Sequence, residues 1–162
     1  MAEVIRLEGL DGAYDMLRSL PAEVVSKRGG VVKTALLKGA RVLLREAALN
    51  LARATGRLSA EGDDTSTGFL LRNLVATRGK APKVGKGERY LVRVRRKPYV
   101  RKGKPVTTLK TAQLLEYGSS QQQAEPWLRT AFQSKARAAI ETIERETVAG
   151  VERAAQKALR AR

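Results

Sequence analysis

Glu116 stands between Leu115 and Tyr117 in the run LLEYGSSQQQAEPWLRTAF, residues 114–132. A carboxylate with apolar neighbours is a candidate for burial, and burial raises its pKa toward the range useful in proton transfer. The competing reading is structural, because a buried glutamate is usually a paired one and this chain is rich in arginine. A second acidic group, Glu61, Asp63 and Asp64, lies in a Gly-, Ser-, Thr- and Asp-rich stretch from Thr55 to Gly68. Its oxygens are of the type that hold metal ions, but no histidine completes a ligand set. A solvated acidic loop is the expectation there.

The chain contains no histidine and no cysteine. That removes the commonest general base, the commonest metal ligand, a thiolate nucleophile and any disulfide framework. No serine sits beside a recognisable base and orienting group. The stretch GKAPKVGKGERY, residues 79–90, has glycines and lysines but not the Gly-Lys-Ser/Thr ending of a phosphate loop. The expectation is a protein without catalytic residues, cofactor or metal.

What composition does offer is charge. Thirty-two Lys and Arg against 16 Asp and Glu leave a net charge of +16, which points to nucleic acid, an acidic protein surface or anionic lipid as a partner. The stretch from Arg78 to Lys110 concentrates it, with 13 basic residues and a single acid, Glu88. Clustered cations of this kind neutralise phosphates without reading sequence. Arg93, Arg95, Arg96, Lys97, Arg101, Lys102 and Lys104 are the candidate contacts, to DNA or to acidic protein with equal weight. Tyr90 and Tyr99 are positioned either to stack on bases or to pack across strands.

These residues must be positioned by a chain of 162 residues, read as a single domain. Leu10, Ala13, Tyr14, Leu17 and Leu20 share one helical face, with Asp11 as cap and Pro21 as stop. A second helical pattern runs from about Ala22 to Ala54, is broken or bent at Gly29-Gly30 and is firm from Val31, with Val32, Ala35, Leu36, Ala40, Leu43, Ala47 and Leu51 as its stripe. Phe69 to Val75 is helical or already strand. Tyr90 to Arg96 alternates like a strand, Pro98 ends it, RKGKP is a turn, and Val106 to Leu109 is the segment that pairs back. From Pro126, Leu128, Phe132, Ala136, Ile140, Ile143, Thr147 and Val151 form the stripe of a long helix, with Gly150 as a soft point. Pro126 suits a first helical position, Glu125 suits the positive end of the helix dipole, and Gly118 suits a turn. Trp127 is expected to be a buried anchor.

The order of elements predicts an α+β fold: a small antiparallel sheet with a long basic hairpin, packed against two or three helices including a long C-terminal one. The helical part covers 8–54, the sheet 67–118 with its arm at 89–110, and the C-terminal helix 126–160. Aromatic residues make up only 4% of the chain, so the core is Leu, Val and Ala. Such a core is either a lean monomeric one or is completed between subunits. No apolar run reaches the ~20 residues of a transmembrane helix, and the start MAEVIRLEGL lacks the pattern of a secretory leader. The expected setting is a reducing interior.

Leu115-Glu116-Tyr117-Gly118-Ser119, a polar loop, then Ala124-Glu125-Pro126-Trp127-Leu128-Arg129 and Ala131-Phe132 resembles the signature of a known family. There an aromatic-containing Glu-Gly-Thr run precedes an Ala-x-Pro-Phe-Leu-Arg-x-Ala run. The family is that of the gene-ten product of phage HK-ninety-seven, the tail-completion or head–tail joining proteins of tailed bacteriophages. Gly9-Leu10-Asp11 before a leucine helix is similar to the family's opening, and the resemblance covers about residues 8 to 145. The Thr-Gly-x-Leu-basic motif is Thr55-Gly56-Arg57-Leu58 or, preferred, Thr67-Gly68-Phe69-Leu70-Leu71-Arg72. Trp127 stands where the family usually has phenylalanine. The motif positions are Gly68, Leu71, Glu116, Tyr117, Gly118, Pro126, Trp127, Leu128 and Arg129. The resemblance implies a non-enzymatic virion protein, a ring-forming neck or tail-terminator-like component at the head–tail junction, assembled in the host cytoplasm. It implies a ring of copies, hexameric, adjoining neck, connector and tail-tube proteins, with non-specific contact to genomic DNA and none to membrane. The alternative is a stand-alone basic nucleic-acid-binding protein.

Overall fold

The computed structural model describes residues 30–60, 68–80, 87–101 and 103–160. The expected first helix at Leu10–Leu20, the acids Glu61, Asp63 and Asp64, and Lys102 lie outside the described residues. The fold is α+β, with helices α1 (Val31–Ala60), α2 (Phe69–Arg72), α3 (Thr108–Tyr117) and α4 (Leu128–Arg160). Strands β1 (Leu74–Arg78), β2 (Tyr90–Val94), β3 (Pro98–Arg101) and β4 (Lys104–Thr107) make two antiparallel two-stranded sheets, β1–β2 and β3–β4. Among the described residues no helix is long and apolar enough to cross a membrane.

Alanine, leucine, arginine and lysine dominate α1, all strong helix formers, and the Gly30 carbonyl accepts from Lys33 and Thr34 at its start. The helix does not stop at Ala54. It runs on through Thr55 and Gly56, where a loop was expected, and Thr55 Oγ1 bonds back to the Leu51 and Ala52 carbonyls inside the helix. Thr55-Gly56-Arg57-Leu58 is therefore plain helix. Gly68, at φ +66°, opens α2 in the left-handed conformation that glycine adopts without strain. Phe69 to Val75 holds both of its expected states in turn, a single helical turn and then β1.

The basic hairpin differs from the expectation in its pairing. Tyr90–Val94 pairs with Leu74–Arg78, not with the segment beyond the RKGKP turn. The β2 strand ends at Val94 because three consecutive cations follow, and Pro98 begins β3 instead of merely ending β2. Proline lacks an N–H, so it fits the start of a short edge strand. Pro98–Arg101 pairs with Lys104–Thr107 around Gly103, at φ +73°. Leu109 falls in α3, whose N-cap is Thr107, its side chain accepting from the Lys110 amide at 3.3 Å.

α1 and α4, about 45 Å and 50 Å long at 1.5 Å per residue, lie antiparallel. Lys38 meets Glu146, Lys135 approaches Glu46, and Asn50 reaches the Trp127 carbonyl. Small residues set their spacing. A Cβ at Gly39 would overlap Ile143 and lie 3.0 Å from the Ala139 carbonyl, and a Cβ at Gly150 would overlap Val31. Gly150, expected as a soft point, is a buried close contact. The α4 stripe is rotated from the expected one, since Ala131 and Ala139 are buried and Phe132 is 55% exposed. The core gathers Ala47, Leu51, Leu70, Leu74, Val94, Ala112, Leu115, Trp127 and Ala131, where the helices meet the first sheet.

Candidate functional site

The motif residues of the opening stretch converge where α3 ends and α4 begins. Gly118 closes α3 with φ +75°, and a Cβ there would lie 2.8 Å from the Ala124 amide and 2.9 Å from the Gln122 carbonyl. Only glycine fits that turn. The polar loop folds back, held by Ser119 and Gln122 and by the Glu125 amide donating to the Leu115 carbonyl at 2.7 Å. This return brings the first turn of α4 against the last turn of α3.

Glu116 fills the junction. Its Oε2 accepts from the amides of Trp127 (2.9 Å) and Leu128 (2.8 Å). Its Oε1 accepts from the Arg129 amide (3.1 Å) and Arg129 Nε (2.9 Å). The carboxylate thus satisfies amides that every helix start leaves without an intrahelical partner, and it places negative charge at the positive end of the α4 dipole. Glu125 was expected to place negative charge at this helix end. Glu116, contributed from the preceding helix across the Gly118 turn, is the carboxylate bonded to its amides.

Burial pushes the Glu116 carboxyl up, but the Leu128 amide, the Arg129 guanidinium and the Arg129 and Trp127 amides outweigh it and hold it below the usual carboxylate range. The direction is opposite to that of a carboxylate tuned for proton transfer at neutral pH. With both oxygens doubly engaged, the geometry makes Glu116 a helix cap. Arg129 completes the arrangement: its Nη2 donates to the Glu116 carbonyl at 3.0 Å, and its guanidinium carbon lies 5.2 Å from the centre of the Tyr117 ring.

Trp127 is 3% exposed, and its Nε1–H donates to the Ala112 carbonyl at 3.2 Å. The buried anchor is as expected. The helix itself starts at Leu128, so Pro126 precedes it and serves through its carbonyl, which accepts from Thr130 Oγ1 at 2.8 Å. Gly68 and Leu71 stand apart from this cluster. Leu70, not the 39% exposed Leu71, enters the core.

The basic candidates fall in three places. Arg93 is exposed on β2 and bonds Thr77 Oγ1 across the strands at 3.1 Å. Arg95, Arg96 and Lys97 are exposed in the link between the two sheets. Lys104 is exposed at the tip of the second hairpin, where its Cα partner is Arg101. Glu88, the single acid of the run, forms a two-pronged ion pair with Arg78. Tyr99 is a packing residue, its ring 5.7 Å from that of Phe69 and its hydroxyl 2.6 Å from Thr111 Oγ1.

Thr108 supports the cationic link and went unnoticed in the sequence. Fully buried, it donates to the Arg95 carbonyl at 2.5 Å and accepts from the Lys97 amide at 2.9 Å, while its own amide donates to the Lys97 carbonyl. The doubled threonine before LKTAQLLEY was the available signal, since Ser and Thr favour helix starts. Asn73 acts similarly, its side chain bonding the Phe69 carbonyl and its carbonyl accepting from Arg95.

The class so defined is an α+β protein in which two long antiparallel helices pack together, one carboxylate caps the junction of α3 and α4, and the small sheets and their link carry exposed cations. No known protein family matches the chain, and no similar curated protein or solved structure is found. The likeness to the phage tail-completion family rests on its motifs.

Proposed function

We propose that this protein is a structural virion component of a tailed bacteriophage, a ring-forming neck or tail-completion subunit at the head–tail junction. One observation carries the reading. The residues of the family-like signature, Glu116, Tyr117, Gly118, Trp127, Leu128 and Arg129, are far from random neighbours: they form one contact set with one physical task. A signature that builds a helix junction fits a protein whose work is to hold shape. Leu49, Phe132 and Val148 each leave 46% or more of their surface exposed on α1 and α4. A closed ring would bury such surface between identical copies.

In this reading the second hairpin and the Arg95–Lys97 link contact an adjoining ring, a neighbouring copy or the DNA that passes through. The cationic link also favours a second reading, a stand-alone nucleic-acid-binding protein. Native mass spectrometry and electron microscopy of the purified chain, alone and with the proteins of neighbouring genes, separate the two. Closed rings that join tail components are expected. A chain that stays monomeric at all concentrations and binds only nucleic acid would replace the first reading with the second.

A further inference from the structure

We propose that a cleft between α1 and α4, separate from the basic link and hairpin, binds the phosphate backbone of duplex DNA. The cleft, about 310 Å³, is lined by Lys38, Arg41, Val42 and Arg45 of α1 and by Thr142 and Arg145 of α4. Four of its six lining residues are cations. One carboxylate, Glu146, stands at its edge and bonds Lys38 at 2.6 Å. Its carboxyl is held below the usual range by Lys38 first, then by Arg153 and Arg145. Arg41 and Arg45 are exposed and make no hydrogen bond or ion pair among the described residues.

Beside the Lys38–Glu146 pair, Arg41 and Arg45 depart from the ion-paired pattern of the two helices among the described residues. Elsewhere the same two helices set opposite charges together, as in Lys135–Glu46 and Arg137–Glu141. Lys38, Arg41 and Arg45 instead occur three and four residues apart on one side of α1, where like charges disfavour the helix. Arg145 adds another from across the groove. Among the described residues no carboxylate pairs with Arg41 or Arg45, and a bound phosphate would fill that place.

The phosphate backbone of duplex DNA is an anion of matching charge for this row of cations. Lys38 to Arg45 spans about 10 Å of helix axis, long enough to face neighbouring phosphates of one strand. The wall is rigid, because Gly39 lets Ile143 and Ala139 approach so closely that no side chain would fit. No aromatic ring lines the cleft to stack on single-stranded bases, and no Asn or Gln lines it to read base edges. Backbone contact without sequence preference is what remains. The inference does not depend on the virion reading, and either can fail without the other.

The test uses the full chain and a random-sequence duplex, with affinity measured by fluorescence anisotropy across a salt series. Arg41→Gln, Arg45→Gln and Arg145→Gln are combined, leaving Lys38 to its partner Glu146. The slope of log K against log salt should fall by about 0.9 per lost phosphate contact, hence by roughly 2–3 in all. The same loss should appear when the three changes are made in a variant already neutralised at Arg95, Arg96, Lys97 and Lys104. Lysine at the three positions should keep the slope, which separates loss of charge from loss of fold. The proposal is overturned by an unchanged slope, or by an equal loss from neutralising Arg53, Lys110 and Arg137 on other surfaces. Binding to anionic phospholipid vesicles in preference to the duplex would overturn it as well.

Discussion

At the scale of single residues, Glu116 shows how one carboxylate changes meaning with its surroundings. Flanked by leucine and tyrosine, it offers two readings, a raised-pKa acid or, more commonly, a structural carboxylate paired with an arginine. Surrounded by three amides and a guanidinium, it has a lowered pKa. A lowered folded-state pKa stabilises the fold above the unfolded value, about 4.3 for glutamate. That contribution disappears as pH falls through the still lower folded value. Glu116→Gln should therefore cost about 2–3 kcal/mol at neutral pH and flatten the acid limb of a stability–pH curve measured by urea unfolding. An unaltered acid limb would mean that the carboxylate is not the cap. Trp127→Ala should cost about 3–5 kcal/mol, as for other buried aromatics. Trp127→Phe should lose less, chiefly the Nε1–H bond to Ala112, about 1 kcal/mol. Thermal or urea melts of both variants check the order.

Helices and strands impose their own tests. Gly39 and Gly56 both lie inside α1, so helix propensity alone favours alanine at each by roughly 0.5–1 kcal/mol. Their surroundings are opposite. A Cβ at Gly56 meets nothing within 4 Å, whereas one at Gly39 collides with Ile143. Gly56→Ala should raise stability by that amount, and Gly39→Ala should lower it by about 1–3 kcal/mol because the helices must separate. Matching signs in a denaturant titration would show that the hairpin is not closely packed at Gly39. The second hairpin raises a different point at this scale. Val106 to Thr107 ends a strand and Thr108 starts a helix without any intervening loop. The buried Thr108 makes this abrupt change possible by bonding both chain directions at the Arg95–Lys97 link.

At the scale of the whole molecule, the cations of the link and of the second hairpin stand apart from the core. The core of Leu, Val, Ala and one tryptophan is built without Arg95, Arg96, Lys97 or Lys104, which are all exposed. Neutralising Arg95, Arg96, Lys97, Arg101, Lys102 and Lys104 together should leave the circular dichroism and the melting temperature of the isolated subunit unchanged. Under the proposed function it should also block ring formation or the joining of tails to filled heads. Infectious particles completed by that variant would reduce these cations to a solvated face. Any DNA affinity that is lost should fade with salt and be indifferent to sequence.

Periodicity alone located the long helices from Val31 and toward the C-terminus, because a helix records its buried face every three or four residues. The turns at Gly103 and Gly118 were legible for a similar reason, since positive φ is written as glycine. Trp127 was legible as an anchor from its size and its place after Pro126. Strand pairing was not: β2 has apolar alternation that suits either neighbour, and only the packing of Leu74 and Val94 into the shared core selects β1. The rotation of α4 that exposes Phe132 and buries Ala131 was hidden too, because close helix contact at Gly39 and Gly150 selects small residues over large ones. The roles of Glu116 and of the cleft at Arg41 belong to tertiary structure altogether. Each depends on groups from two helices separated in the chain, and no local spacing rule records which distant amide or cation will arrive beside a given side chain.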